Sequence, residues 1–128
     1  MYADLARKYK GKVDFASIYI REAHAKEEWS FGEHNGEGGR FDISQPKDTA
    51  ERITACEEWI KSLGDGSDSV SYYVDGVDDA ANLAYGAHPE RLYIFSADGK
   101  VAYQGGPGPF GHNMAEVEAW LDYHIQQS

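Results

Sequence analysis

The amino-acid sequence predicts an α/β fold in which a mixed sheet is flanked by helices. Hydrophobic periodicity alternates along the chain between the helical and the strand repeat, in the order helix, strand, helix, strand, hairpin, helix. A strand followed by a helix and a second strand is typical of a parallel crossover, and a hairpin adds an antiparallel pair. With 128 residues, the chain is expected to form a single domain over residues 1–128.

The first two predicted elements are a helix and a strand. One helical face is outlined by four apolar residues, namely Tyr2, Leu5, Ala6 and Tyr9. The segment KVDFASIYI follows; it is rich in β-branched and aromatic residues and predicts a central strand covered on both faces. Since neither a capping residue nor a strand precedes the helix, we expect a segment upstream of Met1 to be missing from the fold.

A second helix follows a long polar segment. Residues 30–47 are rich in glycine, and a loop of this length favours a functional role. The next residues, from Asp48 to Leu63, carry apolar side chains at helical spacing and end at a glycine. The predicted apolar stripe consists of Ile53, Cys56, Ile60 and Leu63, with Trp59 beside it. Cys56 is therefore expected to face the core.

The second half predicts a strand, a short helix, a hairpin and a final helix. The strand SVSYYV ends at Asp75, and the runs RLYIF and KVAYQ flank an Asp-Gly turn that strongly indicates a hairpin. Asn113 and Glu116 have the spacing of a capping box before the last amphipathic helix. Together, these elements make a partial thioredoxin-like arrangement in which the first strand and the start of the first helix are missing.

Charge and composition exclude several classes of partner. The formal charge is −10, from 22 acidic and 12 basic residues, so nucleic acid and anionic membranes are disfavoured as partners. No apolar run approaches the roughly 18 residues of a membrane-spanning helix. A single cysteine, Cys56, rules out a disulfide framework or a CxxC site within the chain. We expect a cytoplasmic protein, with a membrane anchor upstream left open.

Four segments together resemble a known family. VDFASIYIREAHAKEEW, ERITAC, AYGAHPERLYIF and VAYQGGPGPFG occur in this order, followed by a helix containing WL, and are similar to the iodothyronine deiodinases. The resemblance implies a thioredoxin-like, peroxiredoxin-related core that removes iodide reductively from iodinated thyronines. It also implies a selenocysteine or cysteine nucleophile, here upstream of Met1, and a thiol reductant as co-substrate with no bound cofactor.

The resemblance also implies a catalytic group at the end of the first strand. By motif, this group comprises Tyr19, Glu22 and His24. A histidine with an ordinary pKa near 6.5 could stabilise a neighbouring selenolate or thiolate and deliver a proton to the carbon that loses halide. Glu22 and Tyr19 would orient His24 and return its proton.

A substrate-binding group is implied by the same motifs. It comprises Arg91, Trp29 and Tyr85, of which Arg91 offers a planar guanidinium suited to the carboxylate of an amino-acid-like substrate. The chain departs from the family at Pro46, close to a position where the family has a histidine. This departure leaves open a halogenated or peroxide substrate other than an iodothyronine.

Each of these residues also has a simpler interpretation. Tyr19 is suited to core packing, Glu22 to a solvated loop, His24 to a surface hydrogen bond and Trp29 to a loop anchor. Arg91 could pair with one of the many acids nearby. Cys56 fits a buried thiol better than a nucleophile. The remaining histidines, His34, His88, His112 and His124, show no ligand spacing, so we expect no metal site.

Three functions are therefore compared. The leading hypothesis is a deiodinase-like selenol or thiol oxidoreductase that takes a small halogenated aromatic substrate and a thiol reductant. A peroxiredoxin-like thiol peroxidase shares the core but would release no halide. The third hypothesis is a non-catalytic thioredoxin-like binding or dimerisation module, since the chain contains no exposed nucleophile. We expect no nucleic-acid or membrane partner for this chain, and a homodimer is its expected association.

Overall fold

A computed structural model describes residues 2–22, 44–63, 67–108, 111 and 113–125. The elements in these ranges follow the predicted order. The helices are α1 (Tyr2–Lys8), α2 (Thr49–Leu63), α3 (Ala80–Tyr85) and α4 (Met114–Ile125). The strands are β1 (Phe15–Tyr19), β2 (Val70–Val74), β3 (Tyr93–Phe95) and β4 (Val101–Gln104), and a 3₁₀ turn (Ser67–Ser69) leads into β2.

The longer helices begin where side chains satisfy their free backbone N–H groups. At the start of α2, the Asp48 carboxylate accepts a hydrogen bond from the Glu51 N–H at 2.8 Å, and the Glu51 carboxylate accepts one from the Lys47 N–H at 2.8 Å. At the start of α4, Asn113 accepts a hydrogen bond from the Glu116 N–H at 3.1 Å. This contact confirms the predicted cap of the last helix.

The four strands form two separate two-stranded sheets. β1 and β2 are parallel, in a register from Phe15 opposite Val70 to Tyr19 opposite Val74. β3 and β4 are antiparallel and joined at the Asp-Gly turn, where Gly99 has a φ of 82°, so the predicted hairpin is confirmed. The α/β class with helices beside the sheets is likewise confirmed. Within the described ranges, no strand lies between β1 and the hairpin to join the two sheets.

The parallel pair is covered on one face, so the prediction that helices cover both faces of β1 is wrong for the described residues. Burial alternates along both strands, and Ile18 and Tyr73, which are neighbours in the register, are 44% and 58% exposed. The reason is that α1, α2 and α4 share the opposite face. There α1 and α4 pack on Phe15 and Val70 near the start of the strands, and α2 packs towards their ends.

The core joins the first and last helices to both sheets. Its buried members are Leu5, Ala6, Tyr9, Phe15, Val70, Val117 and Leu121. The hairpin contributes partly buried side chains to the same cluster, which are Leu92, Ile94 and Tyr103. Although no backbone ladder connects the two sheets in the described ranges, burial of apolar surface in this shared cluster stabilises their association.

Polar contacts also hold α1 against α4. The Lys8 ammonium lies 2.9 Å from Glu118 and 3.0 Å from Asp122, and the Tyr9 hydroxyl hydrogen-bonds to Asp122. The hydrogen bond from Tyr9 holds the pKa of the Asp122 carboxyl below its usual range, with Lys8 adding to the effect. These exposed ion pairs fix the helices relative to each other more than they add stability.

The predicted apolar stripe of α2 is only partly correct. Cys56 is 2% exposed, which confirms that it faces the core, whereas Ile53 and Leu63 are 42% and 40% exposed. Arg52 is buried on this helix instead, at 3% exposure. A buried arginine needs hydrogen-bond acceptors and a countercharge, and both come from the turn after β2.

Candidate functional site

The carboxyl end of β1 is held from two sides. The Tyr19 carbonyl accepts a hydrogen bond from the Asp75 N–H at 2.9 Å, and the Tyr19 ring lies 5.7 Å from the Trp59 ring of α2. Three residues further on, the side-chain amide of Gln45 makes two hydrogen bonds to the backbone of Glu22. Its Oε1 accepts from the Glu22 N–H at 3.0 Å, and its Nε2 donates to the Glu22 carbonyl at 3.1 Å.

The predicted catalytic residues are thus placed in part. The structure places Tyr19 as the last residue of β1, half-buried, and Glu22 in the connection that follows, also half-buried. His24 and Trp29 lie outside the described residues. Their roles, and those of Glu22 and Tyr19 towards His24, stay predictions.

A buried ionic group fixes the start of α2 to the end of β2. Arg52 Nη1 donates to the Asp75 carbonyl at 3.2 Å and to the Gly76 carbonyl at 2.7 Å. Arg52 Nη2 lies 3.2 Å from the carboxylate of Asp79, which neutralises the charge. The sequence contained one signal for this group: residue 52 lies on the same helical face as Ala55 and Cys56, and a charge on a buried face requires a buried partner.

The Asp75 side chain fixes the next element along the chain. It is 5% exposed, and its two carboxylate oxygens each accept one hydrogen bond at 3.0 Å, from the N–H groups of Ala81 and Asn82. These are free N–H groups of the first turn of α3, so the carboxylate satisfies them and favours the helix start. In this way, the end of β2 determines where α3 lies and where its last residue, Tyr85, is presented.

Arg91 and Tyr85, both predicted to bind substrate, are brought together before β3. Arg91 Nε donates to the Gly105 carbonyl at 2.8 Å, and Nη1 lies 3.3 Å and 3.4 Å from the carbonyls of Tyr85 and Gly86. The Tyr93 hydroxyl donates to the same Tyr85 carbonyl at 2.6 Å. The arginine therefore ties the end of α3 to the residue after β4.

Three aromatic rings form a group beside Arg91, and one of them lies next to its guanidinium. The Arg91 guanidinium lies 5.4 Å from the centre of the Tyr93 ring. The centre of the Tyr93 ring is 5.1 Å from that of Tyr85 and 6.2 Å from that of Phe95. The ring centres of Tyr85 and Phe95 are 6.3 Å apart. Tyr85 and Phe95 are 37% and 48% exposed. We call the set formed by Tyr85, Arg91, Tyr93 and Phe95 the aromatic–arginine cluster.

No carboxylate among the described residues neutralises the charge of Arg91. Among the residues that the structure describes, no acidic side chain lies within ion-pair distance of it, although the chain has 22 acids. The alternative in which Arg91 pairs with a nearby acid is therefore wrong for the described part of the chain. Its Nη2 makes no hydrogen bond to a described residue, so this nitrogen is available to an anionic group.

Cys56 has the properties of a structural thiol. Burial raises the pKa of the thiol, and the nearby charge of Glu57 adds to the effect. A raised pKa keeps the sulfur protonated at neutral pH, and the protonated form is a poor nucleophile. This finding agrees with the interpretation of Cys56 as a core residue.

Two further properties of the described residues bear on function. Within the described ranges, no group of three His, Cys, Asp or Glu side chains could hold a metal ion. No helix in the part of the chain that the structure describes is long and apolar enough to cross a membrane. The absence of a metal in the working protein stays a prediction.

The order of the elements now defines the class of this protein. A parallel β–α–β unit, a short helix, an antiparallel hairpin and a final helix packed on the shared core make it a thioredoxin-like α/β protein. The candidate site residues that the structure describes lie at the end of a strand, at the end of a short helix and in the connections between elements, where such folds usually carry functional groups.

Comparison with known proteins gives the family. The family model described as iodothyronine deiodinase matches residues 1–125, and the chain belongs to that family. It is 34% identical over 123 residues to the thyroxine 5-deiodinase of Sus scrofa, and the aligned segment covers 96% of this chain and 37% of the relative. It is 35% identical to the thyroxine 5-deiodinase of Sparus aurata, where the aligned segment covers 96% of this chain and 40% of the relative. The chain therefore spans well under half the length of these curated relatives.

Proposed function

We propose that this chain is the substrate-binding and proton-donating part of a deiodinase-type oxidoreductase. Its substrate would be a small halogenated aromatic molecule that carries a carboxylate, as an iodothyronine does. Family membership and the activity in the relatives' names support the reaction class. The aromatic–arginine cluster is the structural observation that carries the proposal, because it combines exposed rings with a cation that no described acid neutralises.

The cluster suits both ends of such a substrate. A carboxylate would bind at Arg91 Nη2, while Nε and Nη1 keep their backbone contacts and hold the guanidinium in one orientation. A substrate ring would pack against Tyr85 and Phe95, which are partly exposed. Because the protein groups are already ordered by hydrogen bonds, binding would cost little additional side-chain entropy.

The proposed reaction divides the chemistry between the chain and a nucleophile upstream of Met1. The selenolate or thiolate would take the iodine from the ring carbon, forming a selenium–iodine or sulfur–iodine bond. The carbon would receive a proton from His24. Two molecules of thiol would then displace iodide, restore the nucleophile and leave as a disulfide, and of the two protons that they lose one would return to His24 and the other would leave with the iodide. The balance is one aryl iodide and two thiols giving one arene, one disulfide and hydrogen iodide.

The consumption of thiols in this reaction supports a reducing compartment and a thiol partner. Because each turnover consumes two thiols, we propose the cytoplasm, where thiols are kept reduced, and a thiol reductant as co-substrate. No bound cofactor is needed for the balance. The expected homodimer stays a prediction.

The test uses the full-length protein with its upstream nucleophile, thyroxine as substrate and dithiothreitol as reductant, with iodide release as the readout. Arg91→Leu and Arg91→Lys should raise KM for thyroxine on the order of 10- to 100-fold, the value of a charge-assisted hydrogen bond. KM for an iodinated diphenyl ether without the carboxylate should not change. Arg7→Leu is the matched control, since Arg7 is an exposed arginine paired with Asp4 in α1.

Three outcomes would refute the proposal in different ways. Consumption of hydrogen peroxide without iodide release would favour the thiol peroxidase. Inactivity in both assays would favour the binding module. Iodide release with an unchanged KM in Arg91→Lys would retain the reaction and remove Arg91 as the carboxylate ligand.

A further inference from the structure

Gln45 binds the backbone of Glu22 as another strand would. Its amide accepts from the N–H at 3.0 Å and donates to the carbonyl at 3.1 Å of the same residue, 23 positions earlier in the chain. Of the neutral side chains, only those of Asn and Gln hold a donor and an acceptor together as a peptide group does. The contact therefore reproduces one hydrogen-bonded pair of a β-ladder just past the end of β1.

Gln45 lies close in the chain to a fixed helix start. The cap formed by Asp48 and Glu51 begins α2 three residues after Gln45. One residue after Glu51, Arg52 binds the carbonyls of Asp75 and Gly76 at the end of β2. The end of β2 therefore fixes the start of α2, and a short stretch of chain connects that helix start to Gln45 and its contact with Glu22.

We propose that Gln45 is a positioning residue for the proton donor. By holding both backbone groups of Glu22, it sets the direction in which the chain leaves β1, and His24 follows two residues later. This inference rests on the proposed function, in which His24 protonates the carbon. A displacement of a reacting group by about 1 Å can reduce a rate on the order of 100-fold, so a backbone contact beside the donor affects catalysis.

Three substitutions separate positioning from packing. Gln45→Ala removes both hydrogen bonds. Gln45→Asn keeps the amide but shortens the side chain by one methylene, so it cannot make both contacts without backbone movement. Gln45→Glu keeps the length and the acceptor, but an ionised carboxylate opposes the Glu22 carbonyl, and only its protonated form regains a donor.

The experiment measures iodide release from thyroxine by the full-length protein with dithiothreitol, across a range of pH. Gln45→Ala should lower kcat roughly 10- to 100-fold and leave KM unchanged, because the aromatic–arginine cluster is intact. For Gln45→Glu, activity relative to wild type should recover as pH falls through the pKa of the introduced carboxyl. Gln104→Ala is the matched control, because Gln104 is an exposed glutamine in β4.

A second measurement does not depend on activity. Hydrogen exchange of the Glu22 amide, followed by NMR in the same full-length proteins, should be faster in Gln45→Ala by about fivefold or more, the value of one lost hydrogen bond. Exchange at this amide should be unchanged in Gln104→Ala.

The outcomes distinguish failure of the inference from failure of the proposed function. A wild-type protein that releases no iodide refutes the function, and exchange at Glu22 then decides whether Gln45 holds the strand end. An active wild type with unchanged exchange in Gln45→Ala overturns the inference. Faster exchange with wild-type kcat, or no recovery of Gln45→Glu at low pH, shows that the contact is structural only and also overturns it.

Discussion

Arg52 and Arg91 occupy comparable positions in the two halves of the molecule but in different electrostatic states. Each guanidinium donates to backbone carbonyls at the end of a strand or helix and thereby fixes a turn. Arg52 is buried and lies 3.2 Å from the carboxylate of Asp79. Arg91 is half-buried, and no described acid pairs with it.

The difference shows how one side chain serves either structure or ligand binding. A buried guanidinium must be neutralised where it lies, because an isolated charge in a low-dielectric interior is costly. A guanidinium at the surface is stabilised by water, so it does not require a carboxylate from the protein. It can therefore pair with the anionic group of a ligand. The backbone contacts orient both groups, and the neighbouring carboxylate decides which of them can bind an anion.

The largest effect is expected from Arg52→Leu. It leaves two carbonyls and the Asp79 carboxylate without their buried partner, so the free energy of unfolding should fall by about 3–5 kcal/mol. Urea unfolding followed by circular dichroism at pH 7 measures this change. Arg7→Leu, on the exposed face of α1, should change it by less than about 0.5 kcal/mol. A loss below about 1 kcal/mol for Arg52→Leu would contradict the structural role.

Arg91→Leu should cost about 1–2 kcal/mol of unfolding free energy in the same assay. The three carbonyls it contacts are nearer to solvent, so water can replace part of the lost hydrogen bonding. The two arginines would not differ as described if Arg91→Leu destabilised the protein as much as Arg52→Leu does.

Tyr2→Phe tests the parallel half at the edge of β1. The Tyr2 hydroxyl donates to the Ala16 carbonyl at 2.6 Å, and its loss should cost about 1 kcal/mol. Burial, with the nearby charge of Tyr72, raises the pKa of Tyr2 to about 12. A raised folded-state pKa contributes stability that is present below the unfolded pKa, about 10, and is lost as pH rises towards 12.

The wild-type free energy of unfolding should therefore fall more steeply between pH 10 and about 12 than that of Tyr2→Phe. Urea titrations at several pH values in this interval measure the two slopes. Tyr123→Phe, at a tyrosine that is 63% exposed, serves as the control and should retain the wild-type slope. Equal slopes for wild type and Tyr2→Phe would show that Tyr2 does not contribute to the decline.

Tyr93→Phe should have the smallest effect. It removes the hydroxyl that donates to the Tyr85 carbonyl but keeps the ring beside Arg91, so a loss of about 0.5 kcal/mol is expected for this exposed hydrogen bond. Urea unfolding at pH 7 measures it. A loss above about 2 kcal/mol would mean that the hydroxyl, and not Arg91, fixes the end of α3.

Local signals in the sequence predicted most of the fold. The cap at Asn113 and the Asp-Gly turn act within a few residues, so each determines its element without help from the rest of the chain. The exposed face at Ile18 and Tyr73 was missed because apolar residues on both sides of a strand do not show which helices pack against it. Coverage of a sheet is a tertiary property that the strand pattern only suggests.

The sequence predicted the site residues that belong to a family motif. It did not predict the contacts that side chains make with backbone groups. Tyr85 and Arg91 do lie together, as their shared motif indicates. The roles of Arg52 and Gln45 depend on carbonyl and N–H groups of Asp75, Gly76 and Glu22, which every residue has and no sequence pattern marks. The sequence carried a signal for one of these contacts only, the position of Arg52 on the apolar face of α2, and the prediction of the site did not use it.

The contact between Gln45 and Glu22 has a consequence for how this protein can diverge. It holds the two ends of the intervening segment together at a point outside the core, so inserted residues need not disturb either sheet. The free energy of closing a chain segment grows slowly with its length, by about 0.6 kcal/mol for each doubling. One glutamine would thus let the number of residues between positions 22 and 45 change at little expense to folding.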